Sequence, residues 1–356
     1  MTPQFVRPNV REMQGYEPGE QPVAGERVVK LNTNENPYQP SERVLQAIAA
    51  VSGETLRRYP NPTSDPFRDA AAKLHGLTRD QIITGNGSDD ILTISTRCFV
   101  PPAGVMAFPD PTYSLYPVLA KLEDAKALPI PWEDGWSLPI NALAASGANA
   151  IYLANPNAPS GTFVSPLKVA ELARNFSSLI LVDEAYADFS DENCVSLVQQ
   201  FPNIVISRTL SKAYSLAGLR FGYAIAQPPV IQQMMKVKDS YNCDALSIIA
   251  ATAAIEDQAY AKSIWEKIKS ERTRLTTELT QLGWTVLPSQ ANFVLATVPS
   301  GRGKEMYQGL KQQGILVRYF DLPGLQDKIR ITIGQSHENN ALLAGIKMLS
   351  AAGKAA

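Results

Sequence analysis

The sequence predicts an α/β fold: a large unit with a mainly parallel central sheet flanked by helices, followed by a smaller α+β unit. Three observations carry this. Short runs rich in Ile, Val and Leu at 150–153, 179–182 and 204–207 are apolar at successive positions, as strands buried on both faces are. Helical stretches such as 166–176 separate them, as crossovers between parallel strands require. The pattern changes after about Tyr241, and 356 residues suffice for two units of roughly 150 residues each.

In order along the chain, residues 1–40 read as an arm contributing to the smaller unit and to subunit contacts. Pro3, Pro8, Gly15, Pro18, Gly19, Pro22 and Gly25 leave little periodicity and predict an extended course. Residues 41–241 form the larger unit. Helical spacing runs over 41–51, and Ser64-Asp65-Pro66 starts a helix that reaches Gly76. In 242–356, the smaller unit, 244–282 read as one long helix, with or without a break. Strands at 285–287, 292–297 and 328–333 interleave with a helix at 304–312. The Ala- and Lys-rich last few residues are expected to fray.

Thirty-three basic against thirty-four acidic residues give a net charge of −1, which argues against nucleic acid or an acidic membrane as a partner. The N-terminus, MTPQFVRPNVREM, lacks an apolar signal core and no apolar run is long enough to span a bilayer, so a cytoplasmic protein is expected. Cys98, Cys194 and Cys243 are odd in number and far apart, which fits reduced thiols. With only His75 and His337, neither a histidine triad nor a multi-histidine metal site has much to draw on. No metal is expected, and Lys, Tyr, Asp or Glu must carry any acid/base chemistry.

Gly85-Asn86-Gly87-Ser88-Asp89 precedes an apolar-periodic stretch at 91–99 and opens a helix with two glycines and a Ser/Asp cap. Free N–H groups and the positive helix end suit a phosphate there; an ordinary capped turn has the same signature. In 207–214, Thr209, Ser211 and Lys212 follow a strand, and Arg220 comes eight positions after the lysine. Hydroxyls and a guanidinium suit a phosphate monoester, and a lysine with a lowered pKa can attack a carbonyl. A solvated basic turn is the alternative, made harder by the apolar strand before it. Leu179-Ile180-Leu181-Val182 runs into Asp183-Glu184-Ala185-Tyr186, placing a carboxylate at the carboxyl end of a buried strand, where open α/β sheets bind ligands. A buried aspartate needs a cation, and a protonated pyridine nitrogen is one; a helix cap is the other reading. Asn155-Pro156-Asn157-Ala158-Pro159-Ser160-Gly161 forms a rigid loop from which Asn157 can donate, or simply a tight turn.

Together these segments resemble the fold-type I pyridoxal-phosphate-dependent aminotransferases over almost the whole chain. Asn-Pro-Asn-x-Pro-x-Gly, Asp-Glu-Ala-Tyr, and Ser-Lys with Arg eight residues on stand in that family's order. Within it the likeness is closest to the histidinol-phosphate aminotransferases, through 31–38 (Leu-Asn-Thr-Asn-Glu-Asn-Pro-Tyr), Arg58-Tyr59-Pro60 and the Gly85 and Val182 segments. Three positions depart from the usual pattern: Ala158 where Asn is common, Ser160 where Thr is common, and Asp90 where Glu is common.

The resemblance implies the type I fold, pyridoxal 5′-phosphate as cofactor, and a set of roles. Lys212 carries the cofactor as a Schiff base and shuttles a proton. Asp183 keeps the pyridine nitrogen protonated, Asn157 and Tyr186 bond the ring's phenolate oxygen, and Tyr113 stacks on the ring. Gly87, Ser88, Asp89, Thr209, Ser211 and Arg220 hold the phosphate, with Tyr59 reaching in from the second subunit of a homodimer. Arg330, with Arg318, Tyr16, Asn34 and Asn157, receives the substrate's anionic end, although Arg318 at a strand edge and Tyr16 in the arm also suit purely structural places. The implied reaction converts L-histidinol phosphate and 2-oxoglutarate to imidazole-acetol phosphate and glutamate, in histidine biosynthesis. An aromatic or broad-specificity aminotransferase and a phosphothreonine decarboxylase-like lyase are the alternatives.

Overall fold

The structure, a computed structural model, describes residues 4–22, 25 and 28–355. Its centre is a seven-stranded sheet in the order Ile82–Gly85, Gly222–Ile225, Ile204–Thr209, Leu179–Asp183, Ala150–Ala154, Val105–Asp110, Lys126–Pro131. All neighbours are parallel except Gly222–Ile225, which runs antiparallel to both of its partners. Ala150–Ala154 and Leu179–Asp183 are buried at every position, as their unbroken apolar sequence requires, and a separate apolar cluster covers each face of the sheet. Four strands, in the order Arg318–Tyr319, Lys328–Thr332, Phe293–Thr297, Thr285–Val286, make a second, antiparallel sheet. The mixed, mostly parallel sheet with flanking helices is the type I architecture that the sequence resemblance implies.

The long helix expected at 244–282 is broken. It divides into Ala245–Glu256 and Gln258–Gln281 at Asp257, whose carboxylate accepts the N–H of Tyr260 at 3.3 Å and caps the second helix. The arm is not extended throughout. Pro8–Glu12 form a helical turn, for which Pro8 supplies the preset φ. Asn9 Nδ2 ties it to the Lys121 carbonyl at 2.9 Å. Further on, Val29–Lys30 add a parallel strand to Ile315–Leu316. Pro3 lies outside the described residues, as does the last residue of the tail expected to fray; up to Ala355 that tail continues the helix that begins at Ser336.

Beneath the sheet's carboxyl edge lies a buried ion cluster that the sequence reading does not reach. Arg208, 4% exposed, donates from Nε to Glu184 at 2.9 Å and from Nη1 to Asp188 at 2.9 Å. Successive strand residues point to opposite faces, so Glu184 turns down to Arg208 while Asp183 turns up. Burial pushes both carboxyls above their usual range, opposed by the Arg208 charge. Arg208→Met is therefore expected to cost about 3–5 kcal/mol, read from denaturant midpoints. The loss is expected to be greater at pH 8 than at pH 5, because carboxyls whose folded pKa is raised lose stability as pH rises. A pH-independent loss would contradict this account.

Candidate active site

The carboxyl ends of four parallel strands carry the site. Asp110 leads to Thr112 and Tyr113, Ala154 to Asn157, Asp183 closes its own strand, and Thr209 leads to Ser211 and Lys212. Parallel strands share a direction, so residues distant in sequence converge at one edge.

Lys212 Nζ donates to the Thr33 carbonyl at 2.9 Å, and Asn36 Nδ2 donates to the Lys212 carbonyl at 3.0 Å. Burial, then the charge of Arg330, lowers the amine to about 8, against the opposing pull of Glu35 and Asp89. A lysine in this state is partly a free amine near neutral pH and can attack an aldehyde or ketone. Asp183, 4% exposed, accepts the Tyr116 hydroxyl on Oδ2 at 3.1 Å, while its buried Oδ1 has no partner among the described residues. Burial pushes the carboxyl up to about 7. A buried acceptor without a donor costs on the order of 1–3 kcal/mol, so Oδ1 suits a ligand N–H, best a cationic one.

A cluster of donors suited to an anion gathers around Arg220. The helix Ser88–Phe99 starts after Gly87 (φ +84°) with no side-chain cap bond. This corrects the Ser/Asp cap read from the sequence: Ser88 and Asp89 are already helical, and Asp89 turns its carboxylate to the Tyr113 hydroxyl at 3.1 Å and to Arg220 Nη2 at 3.2 Å. Arg220, itself at φ +49°, also donates to Ser211 Oγ at 3.3 Å, and the Ser211 N–H donates to Thr209 Oγ1 at 3.1 Å. A Cβ on Gly222 would stand 2.5 Å from the Ser88 nitrogen, so only glycine lets the sheet approach this helix start. Uncapped N–H groups, two hydroxyls and a guanidinium form an anion site.

The far side is aromatic and cationic. Tyr113 meets Tyr16 edge-on at 5.9 Å, which brings the arm to the site. Tyr186 packs edge-on against Phe293 at 5.0 Å and accepts from Asn34 Nδ2 at 3.0 Å; Asn34 is held at φ +57° by its bonds to Thr332 and Asn292. Asn157 donates to the Pro111 carbonyl at 3.2 Å and to Ser160 Oγ at 2.9 Å. Arg330 lies directly opposite Arg318 in the antiparallel register and donates to the Asn32 carbonyl at 2.9 Å. Among the described residues neither arginine has a carboxylate partner.

Tyr59 is not part of this gathering within one chain: it is 81% exposed and stacks on Tyr241 at 4.5 Å. Tyr116, Thr33 and Asn36 take part without having been singled out from sequence. Tyr116 alone carries a usable signal, standing three positions after Tyr113, but Tyr116 is fully buried and reads as core. His75 belongs elsewhere, bonded to the Tyr223 hydroxyl at 2.9 Å and lowered to about 3 by burial and Arg208. The three cysteines are free. The described residues contain no metal-binding cluster and no helix long and apolar enough to cross a membrane.

Residues 26–346 match the family model of aminotransferase class I and II. Curated relatives include histidinol-phosphate aminotransferase 1 of Trichormus variabilis, 45% identical over 97% of this chain and 99% of that protein, and its Nostoc counterpart, 46% identical over 97% and 98%. A solved histidinol-phosphate aminotransferase from Sinorhizobium meliloti, in complex with pyridoxal-5′-phosphate, superposes with a TM-score of 0.89 at 26% identity, covering 97% of this chain and 98% of that one. A matched family model over nine-tenths of the sequence, relatives at this identity and the gathered lysine, aspartate and anion cradle agree: the chain belongs to the class I and II aminotransferases, close to the histidinol-phosphate aminotransferases.

Proposed function

We propose that this protein is a pyridoxal-phosphate-dependent aminotransferase that moves the amino group of L-histidinol phosphate to 2-oxoglutarate, a step of histidine biosynthesis. The observation that carries the cofactor assignment is the buried Asp183 Oδ1, unpartnered among the described residues, together with a lysine held near pKa 8. These residues fit the cofactor's chemistry: an acceptor for the pyridinium N–H, an amine for its aldehyde, and a cradle for its phosphate. When bound, it supplies a carbonyl for the substrate amine and an electron sink for the α-carbon.

The protein's own groups do the rest. Thr209, Ser211, Arg220 and the Gly87–Asp89 helix start would hold the cofactor's phosphate, and Tyr113 would pack on its ring. Asp183 would keep a proton on the ring nitrogen, and Asn157 and Tyr186 would bond the ring oxygen. Lys212 Nζ, whose pKa near 8 leaves part of it a neutral amine at neutral pH, would serve as the base that takes the proton from the substrate's α-carbon. Arg330 and Arg318 bind the substrate's anionic end, helped by Tyr16 and Asn34. Tyr59, exposed on its own chain, completes the cradle of a partner subunit in a homodimer. The same reading divides the chain into an arm (1–40), a cofactor-carrying unit (41–241) and a smaller unit (242–356), and places the protein in the cytoplasm.

Two measurements test the substrate. The ratio of kcat/KM for histidinol phosphate to that for phenylalanine is expected to favour the phosphate ester strongly; preference for phenylalanine, or CO2 release without an oxo-acid acceptor, sinks the reading. Arg330→Met is expected to raise KM for histidinol phosphate by about 100-fold, the worth of a charge-assisted pair with a phosphate. An unchanged KM would remove Arg330 from the substrate site.

A further inference from the structure

Arg318 and Arg330 pose an electrostatic problem. Like charges directly opposite on paired strands are destabilising, and here they face each other in register, with no carboxylate bridging them among the described residues. Burial and the Arg318 charge both push Arg330 below its usual range, and Arg330 Nε is buried with no acceptor. Tyr186, Tyr16 and Tyr113 oppose that shift, and they face Arg330 from three other segments.

Phe320 bears on both charges at once. The Arg318 guanidinium carbon lies 5.4 Å from the centre of its ring and the Arg330 carbon 5.5 Å from the same centre. Arg330 also lies 5.2 Å from the centre of Phe293. An aromatic face attracts a cation through its quadrupole within about 6 Å, and it does so without bringing in a formal negative charge. A carboxylate in the same place would neutralise the arginines and occupy the donors that a substrate needs.

We propose that Phe320 is a specificity-determining positioning residue: its ring holds Arg318 and Arg330 together as an unneutralised pair matched to a doubly charged phosphate rather than a singly charged carboxylate. This rests on the histidinol phosphate reading and deepens it. A monoanion offsets one of the two facing charges; a phosphate dianion offsets both, and its several oxygens can meet two guanidinium forks. The ring therefore sets a preference between anions, which neither arginine sets alone.

The test uses the dimeric holoenzyme, in which the cofactor already fills its own phosphate cradle, with inorganic phosphate as the calorimetric probe and histidinol phosphate as substrate. Phe320→Leu is expected to weaken phosphate binding roughly ten-fold and to raise KM for histidinol phosphate by a similar factor, with the loss in KM rather than kcat. Phe320→Tyr, which keeps the face, is expected to restore both to within about two-fold. Should the leucine variant not retain the cofactor's visible absorbance, Phe320→Met serves as the faceless variant. Phosphate binding unchanged in the faceless variant, no phosphate binding by the wild type, or equal losses in the tyrosine and faceless variants would each overturn the proposal. Failure of the wild type to transaminate histidinol phosphate would overturn the parent reading instead, and the phosphate titration would still decide the role of Phe320.

Discussion

Lys212→Ala is expected to lower the rate of the half-reaction with histidinol phosphate by about 10⁴-fold or more, since it removes the amine proposed both to anchor the cofactor and to move the α-proton. Single-turnover absorbance measurements check this, and a variant retaining more than a tenth of the wild-type rate would falsify the assignment. The wild type carries a second signature. In the cofactor-free protein, the rate of covalent capture of pyridoxal phosphate is expected to rise ten-fold per pH unit and then level off above about 8, where the amine becomes neutral. An ordinary lysine would keep rising towards about 10.4. The plateau tests the enclosure of Lys212 by Arg330 and by the Thr33 carbonyl, independently of turnover.

Asp183→Asn is expected to cost about 10²–10³-fold in kcat, the scale of losing one preorganised electrostatic partner in an enclosed site. The neutral amide would no longer hold a proton on the cofactor's ring nitrogen, and the ring would withdraw electrons less strongly. Stability should move the opposite way in the cofactor-free protein. Asp183 has its folded carboxyl raised to about 7, so between about pH 4 and 7 the folded chain holds a proton that the unfolded chain has lost. Stability therefore falls as pH rises through that window. Asp183→Asn removes the titration, and the cofactor-free variant is expected to be the more stable of the two at pH 8. A wild type that is more stable there would show that Asp183 already has a cation within the protein.

How much could be read without the structure differs by segment. Leu179–Asp183 and Ile204–Thr209 are legible because burial on both faces forces unbroken apolar runs, and Asp183 and Thr209, which end them, are among the proposed site residues. The helix start at Ser88 is legible as an anion site, but Asp89 is not: it reads as a cap until the fold brings Tyr113 and Arg220 to it. Tyr116 reads as core, and only its reach to Asp183 separates it from Tyr152 behind it. The arm reads as extended because prolines suppress periodicity, although Pro8 also favours the helical turn that forms there.

Lys212, Asp183 and Arg220 with their motif spacing, the family and the mainly parallel sheet were determined by the sequence itself, because they depend on residue type and on the apolar pattern within each segment. The tertiary structure alone decided what surrounds them. Thr33 is 179 positions from Lys212, Tyr116 is 67 from Asp183, and Arg330 shares Phe320 with Arg318 across a strand register. Burial, then the charge of Arg330, moves the amine to about 8, and burial moves the carboxyl to about 7 against the Tyr116 hydrogen bond. Those shifts come from desolvation and from charges gathered in space, and neither quantity is a property of any local stretch of sequence.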